Sequence, residues 1–305
     1  MKKNLTYAVV GSGAIGSYYG GKLAEQGFDV RFLMRSDLKA VKSQGLELVE
    51  DHRTTRVRDV QAFCTTAEIG PVDVALIGIK STSNEALERL IPPLLKEGTV
   101  LVTLQNGLGN EEFLSARFGE DRILGGLCFI CLNRVVPGVI EHYGKGTLSI
   151  GEFNRSSQER THRIVADFVA SGIQTRVVES LIKERWRKLV WNIPFNGLSI
   201  VAGNIPTSEI LADYGLRQLA RDLMEEIVTA AGMLGHEIPA SFIDDQFERT
   251  YPMGAYKPSS LLDHVAGRPV EVEAIWGEPY RQAKRVGAGM VRMEMLYRLL
   301  KSLTV

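Results

Sequence analysis

Residues 5–10, Leu-Thr-Tyr-Ala-Val-Val, form an apolar run that stops at Gly11-Ser12-Gly13-Ala14-Ile15-Gly16. A helical pattern follows from 14 to 26 and meets Gly27, a residue suited to a helix C-terminal cap. A second short apolar run, 29–34, completes β-α-β within about thirty residues. Few folds accommodate a buried strand that breaks into three glycines and continues as a helix. In this setting the glycines have distinct mechanical roles. Gly11 permits the tight turn, Gly13 lets the backbone approach a diphosphate, and Gly16 allows close helix–strand packing. The N–H groups of the first helical turn, with the positive end of the helix dipole, would face that diphosphate together with Ser12, Ala14 and Ile15.

The pattern continues with strands expected at 72–79 and 99–104 and a helix at 85–95 between them. Such alternation implies an α/β domain with a doubly wound parallel sheet of Rossmann type. Residues 123–150 carry strand signals around a hairpin turn at Pro137-Gly138, followed by a helix at 157–170 and a strand at 174–178. Helical patterns then take over, at 181–198, 214–234, 241–249 and from 270 to the end. The expected division is a dinucleotide-binding domain over 1–179 and an all-helical domain over 180–305, with no sheet in the second.

The 305 residues hold 36 Lys plus Arg and 36 Asp plus Glu. A neutral chain has no global electrostatic footprint for nucleic acid or an anionic membrane, so neither is expected as a partner. Lys2 and Lys3 precede too short an apolar run to make a leader, and no run approaches the roughly 20 apolar residues that span a bilayer. A cytoplasmic protein is expected. Cys128 and Cys131 form a CxxC on an expected strand, where positions three apart point to opposite faces, so their reading is structural.

The end of the second strand distinguishes the nicotinamide dinucleotides. An NAD site places an acid there for the ribose hydroxyls. Here the residues are Leu33-Met34-Arg35-Ser36, with Asp37 two positions late. Arg35 can pair with a 2′-phosphate or be a solvated surface charge; the first reading selects NADP(H). Lys80, closing the 72–79 strand, could reach the same phosphates or be merely exposed. Asn106, in the Gln105-Asn106-Gly107 that follows the next strand, could meet the nicotinamide and a substrate or form a plain turn.

In the second half, Lys188, Asn192 and Asn196 recur every four residues, putting one cation and two amides on a single helix face. Their neighbours Leu189, Val190, Trp191, Ile193 and Phe195 are apolar. A buried polar stripe needs partners, which an internal network or a polar substrate could supply. Pro194 removes a helical hydrogen bond to the Val190 carbonyl. Ser259-Ser260, with Asp263 beyond, reads on its own as a helix cap.

These residues together resemble the 2-dehydropantoate 2-reductase (ketopantoate reductase) family: GxGAxG at the start, Arg35, Lys80, Asn106, the Lys188-xxx-Asn192-xxx-Asn196 face, and the Ser-Ser to Glu271 segment. The resemblance implies a Rossmann domain followed by a helical domain, with the active site between them. It implies that NADPH delivers hydride to a small 2-oxo acid and that Lys188 is the general acid. Asn106, Asn192, Asn196 and Ser260 would bind substrate, Asn106 and Glu271 would also complete the site near the nicotinamide, and no metal would be needed. A homodimer is compatible with it. A reductase of another 2-oxo acid, or an NADPH-sensing protein without catalysis, stays open beside the main reading. Three departures stand out: a Ser260–Glu271 spacing one residue short, Trp276 where the family pattern has Asn, and no proline after Gly287.

Overall fold

The computed structural model describes residues 5–50 and 53–304; Lys2, Lys3 and Val305 lie outside them. The chain divides into two compact units, 1–105 with 110–181, and 106–109 with 182–305. The four residues 106–109 thus belong with the helical unit although they follow a strand of the first, a difference from the expected boundary whose cause is given below.

The first unit opens with β1 (Thr6–Val10), α1 (Ala14–Glu25) and β2 (Asp29–Leu33). After α2 (Leu38–Gln44) come β3 (Leu46–Glu50), β4 (Arg53–Val57), β5 (Gln61–Phe63) and the single turn α3 (Thr66–Ile69). Then follow β6 (Val74–Ile77), the turn α4 (Leu87–Leu90), β7 (Val100–Thr103) and α5 (Asn110–Phe118). The hairpin β8 (Ile123–Val136) and β9 (Val139–Glu152), then α6 (Glu159–Ala170) and β10 (Thr175–Val177), complete it. Among the described residues one ten-stranded sheet runs β4-β3-β9-β8-β7-β6-β1-β2-β5, with β10 beside β9. From β8 to β5 all neighbours are parallel, while β8–β9 and β3–β4 are antiparallel.

Both faces of the central strands are buried. Tyr7 and Val9 pack into one apolar cluster and Ala8 and Val10 into another, the period-two alternation of a strand covered on both sides. That double burial is why β1, β6 and β7 read as unbroken apolar runs. The strands β3 to β5, for which the sequence carries no such signal, lie towards the sheet's two edges; β4, Arg-Thr-Thr-Arg-Val, is largely exposed and charged, as a guarded edge strand is. Cys128 is buried on β8 and Cys131 half-buried, and both are free thiols.

The expected helix at 85–95 is not one helix. A 3-10 stretch, Ser81–Ala86, leads into α4, and Pro92–Leu94 forms another 3-10 turn. Pro92 and Pro93 lack N–H donors, and each disfavours helical geometry in the residue before it.

The second unit is helical: α7 (Leu181–Val201, its first residue counted with the first unit), α8 (Thr207–Ala212), α9 (Tyr214–Met233), α10 (Ser241–Thr250), α11 (Ser259–Val265), α12 (Glu278–Arg285) and α13 (Val291–Leu303). No strand follows β10 among the described residues, and no described helix is long and apolar enough to cross a membrane. The expected helix from 270 to the end is instead a π-turn, Glu273–Gly277, leading into α12, and then α13. Gly287 takes a φ of 74° and donates back to the Lys284 carbonyl, while Ala288 N–H bonds Ala283, a left-handed cap that stops α12 without a proline.

Candidate active site

At the nucleotide turn of the first unit the three glycines meet different surroundings. A Cβ on Gly11, which has a φ of 103°, would strike the backbone of Gly78 and Ile79. One on Gly16 would strike the Gly11 carbonyl, whereas one on Gly13 would find nothing within 4 Å. The first and third glycines therefore close the turn against the strands, and the second leaves open space at the start of α1. Gly13 is also the N-cap, without a side-chain cap, and the first turn of α1 carries no acid. Uncapped N–H groups facing open space fit a dinucleotide diphosphate. The Ser12 hydroxyl donates to the Leu33 carbonyl at 2.8 Å, which ties the turn to the end of β2.

Beyond β2, Arg35 is exposed, and among the described residues its guanidinium has no hydrogen-bond or ion-pair partner. Asp37 is buried and committed: it accepts from Ser36 Oγ at 2.6 Å, Arg134 Nη1 at 2.9 Å and Gly138 N at 3.2 Å. The late acid is thus a structural tie to the β8–β9 turn. Lys80 is exposed at the head of the Ser81–Ala86 turn.

In the second unit, Lys188 Nζ donates to Asn106 Oδ1 at 2.8 Å, across 82 positions of sequence. Asn106 reaches this place because its turn packs against the π-turn: Leu108 N–H donates to the Ala274 carbonyl at 2.9 Å. Gly107 has a φ of 83°, and any Cβ there would strike that same carbonyl. These bonds draw 106–109 into the helical unit.

Asn196 serves the internal network. Its Oδ1 accepts from Ser260 N–H at 3.1 Å and its Nδ2 donates to the Asn192 carbonyl at 3.0 Å. This corrects the capping reading of Ser259-Ser260. The N-cap of α11 is Pro258 and neither serine side chain caps, because Asn196 supplies the capping oxygen. Asp263 pairs with Arg268 at 3.0 Å. Asn192 and Ser260 are buried, and among the described residues the Asn192 amide and the Ser260 hydroxyl have no hydrogen-bond partner. Glu271 is buried at the entrance to the π-turn, its carbonyl accepting from Ile275 N–H at 3.0 Å. Lys183, on the same helix as Lys188, lies near His236, whose pKa falls through burial and through that lysine's charge.

The chain matches the family model described as Ketopantoate reductase PanE/ApbA over residues 7–155 and that of its C-terminal part over 180–304. It is 39% identical over 302 residues to the 2-dehydropantoate 2-reductase of Nostoc sp., covering 97% of this chain and 94% of that protein. The chain belongs to the ketopantoate reductase family. The crystal structure of 2-dehydropantoate 2-reductase from Geobacter metallireducens superposes with a TM-score of 0.96 at 42% identity, covering 98% of this chain and all of that one. A D-mandelate dehydrogenase solved with NADH shares the fold, with a TM-score of 0.90 at 20% identity over 98% of each chain. This member is accordingly an oxidoreductase acting on CH–OH groups.

Within this family member, sequence reasoning missed the π-turn Glu273–Gly277 as a support. Trp276 stands out in the sequence only as a departure from the family pattern. In the structure it is fully buried in the core of the helical unit, and its indole N–H donates to the Ile193 carbonyl at 3.1 Å. The extra residue per turn in 273–277 has no local sequence signature. The only hint was Gly107, whose need for a positive φ marks a tight turn but not what it packs against.

Proposed function

We propose that this chain reduces 2-dehydropantoate to pantoate with NADPH. The observation that carries the reading is the 2.8 Å bond from Lys188 Nζ to Asn106 Oδ1, which fixes the direction of an ammonium that carries three N–H donors. When bound, the nicotinamide supplies hydride to the ketone carbon. Lys188 gives a proton to the ketone oxygen as that oxygen gains charge, and the neutral amine regains its proton from solvent. The Asn192 amide and the Ser260 hydroxyl, both without protein partners among the described residues, suit the substrate carboxylate and hydroxyl. Asn196 acts one step back, fixing Ser260 through its backbone N–H. Glu271 completes the set beside the π-turn, and Asn106 is shared between the lysine and the nicotinamide side.

Gly11 to Gly16 would hold the diphosphate, with Lys80 as a further phosphate partner. Two observations support NADPH over NADH: Arg35 is exposed and has no partner among the described residues, and Asp37, the acid that follows β2, is engaged by Arg134 and Gly138. The test is a set of initial rates with 2-dehydropantoate and other small 2-oxo acids, each with NADPH and NADH. The pair 2-dehydropantoate and NADPH should give the highest kcat/KM. Faster turnover of a different 2-oxo acid would overturn the substrate, and a preference for NADH the cofactor. NADPH binding with no turnover of any acid would point to a sensing protein.

A further inference from the structure

We infer that Trp276 is a positioning residue for the Lys188–Asn106 pair, acting through the π-turn that contains it; this rests on the reading of Lys188 as proton donor. The two partners of the pair lie on segments with no local connection, α7 and the 106–109 turn. One five-residue turn grips both. Its Ala274 carbonyl accepts Leu108 N–H at 2.9 Å and lies so close to Gly107 that no side chain fits between them. Two residues later, Trp276 Nε1–H donates to the Ile193 carbonyl of α7 at 3.1 Å. The turn is itself tethered: the Glu273 carboxylate accepts from Tyr297 Oη and Arg281 Nη1, each at 2.7 Å.

The place where Trp276 grips α7 matters. Ile193 directly precedes Pro194, whose missing N–H leaves the Val190 carbonyl without its helical donor. The stretch of α7 just beyond Lys188 therefore lacks one backbone hydrogen bond of its own. There the Asn192 carbonyl takes a side-chain donor from Asn196 and the Ile193 carbonyl takes one from Trp276. Trp276 is fully buried in an apolar core and commits its one donor to the Ile193 carbonyl, and this bond fixes α7 relative to the turn that packs against the Asn106 segment. A π-turn is a local excess of one residue, which widens the helix start and aims Ala274 and Trp276 in the directions that two separate partners require.

The experiment replaces the donor and keeps the packing. Trp276→Phe is made alongside a protein carrying the sulfur isostere benzothienylalanine at 276, which has the shape of tryptophan without its N–H. Loss of the clamp should lower kcat with 2-dehydropantoate by roughly tenfold, since small misplacements of a catalytic group are costly, with KM for NADPH unchanged. In the ligand-free protein, amide exchange at Leu108 should become faster. A kcat equal to that of the parent in the isostere protein overturns the role, whatever happens to Tm. Equal falls in kcat and in NADPH affinity would also overturn it, as a general loss of structure. Lys188→Ala is run beside them: if that variant keeps full turnover, the proton-donor reading fails by itself, while Leu108 exchange still reports whether Trp276 holds the turn.

Discussion

Two turns follow parallel strands of the same sheet, and they are built on opposite plans. The turn after β1 is local. Gly11, Gly13 and Gly16 lie within six residues; Gly11 closes against the Gly78-Ile79 backbone, Gly16 against the Gly11 carbonyl, and the open side is left at Gly13. The turn after β7 is not local. Asn106 and Gly107 are shaped by Ala274, far later in the chain, and Asn106 is paired with a lysine from a third segment. The first offers backbone N–H groups and needs only the absence of side chains. The second offers a side-chain pair and needs distant segments to agree. A motif search finds the first kind of site; only a folded chain brings the second together.

The largest effect tests the second turn directly. Lys188→Ala should lower kcat by roughly 10²–10⁴, the usual contribution of a positioned general acid, with KM for NADPH little changed. Lys183→Ala should leave turnover intact, because five residues turn a helix by about 140° and Lys183 lies near His236 instead. Turnover lost with Lys183→Ala and kept with Lys188→Ala would reverse the assignment of the catalytic face.

Glycine substitutions at the two turns should separate their plans. Gly107→Ala combines a left-handed backbone, costing about 1–2 kcal/mol, with a clash on the Ala274 carbonyl, so Tm and kcat should both fall. Gly13→Ala has an extended backbone and free space, so Tm should hold while NADPH affinity drops, because the methyl occupies the room intended for the diphosphate. A Tm loss at Gly13 as large as at Gly107 would erase the distinction between the two turns. These measurements need only thermal melts and NADPH titrations.

Legibility followed the same division. The strands of the central sheet were readable because burial on both faces makes them continuously apolar, and the glycine turn because its mechanics are confined to six residues. Asn106 and Lys188 stand out in the sequence as candidate residue types, yet nothing local says that they touch. The polar edge strand β4 has no buried face to impose a pattern. Asp37 looked like a misplaced ribose ligand until Arg134 and Gly138, both on the far hairpin, were seen to hold it. Ser259-Ser260 looked like a cap because the sequence does not show that Asn196 already fills that role.

A moderate effect bears on the first turn. Arg35→Ala should raise KM for NADPH by roughly tenfold to a hundredfold, the worth of a charged hydrogen-bonded pair, and change KM for NADH far less. Equal changes for both nucleotides would return Arg35 to the status of a surface charge. Arg134→Ala sharpens the point: releasing Asp37 from its 2.9 Å ion pair should narrow the preference for NADPH, since the freed acid can then approach ribose hydroxyls.

The smallest expected effect concerns stability in the helical unit, and it distinguishes the two lysines of α7 without any substrate. His236 follows α9, where its N–H donates to the Ala231 carbonyl at 2.8 Å. Burial, then the nearby charge of Lys183, hold its pKa below the ordinary histidine value of 6.5. The unfolded chain therefore takes up a proton at higher pH than the folded one. The associated stability is present above about pH 6.5 and is lost as the pH falls through the lower, folded value. Lys183→Met removes one cause of the depression and keeps the aliphatic stem. Between pH 7.5 and 5.5 the variant should lose less Tm than the parent, by on the order of 1 °C for a chain of this size. Ionisable groups away from Lys183 are common to both proteins and cancel in the difference. Lys188→Met, measured identically, should show no such gain, because its ammonium is engaged with Asn106. An equal gain from both substitutions would mean that the two lysines share one electrostatic environment, and the separation of the catalytic face from its neighbour on α7 would fail.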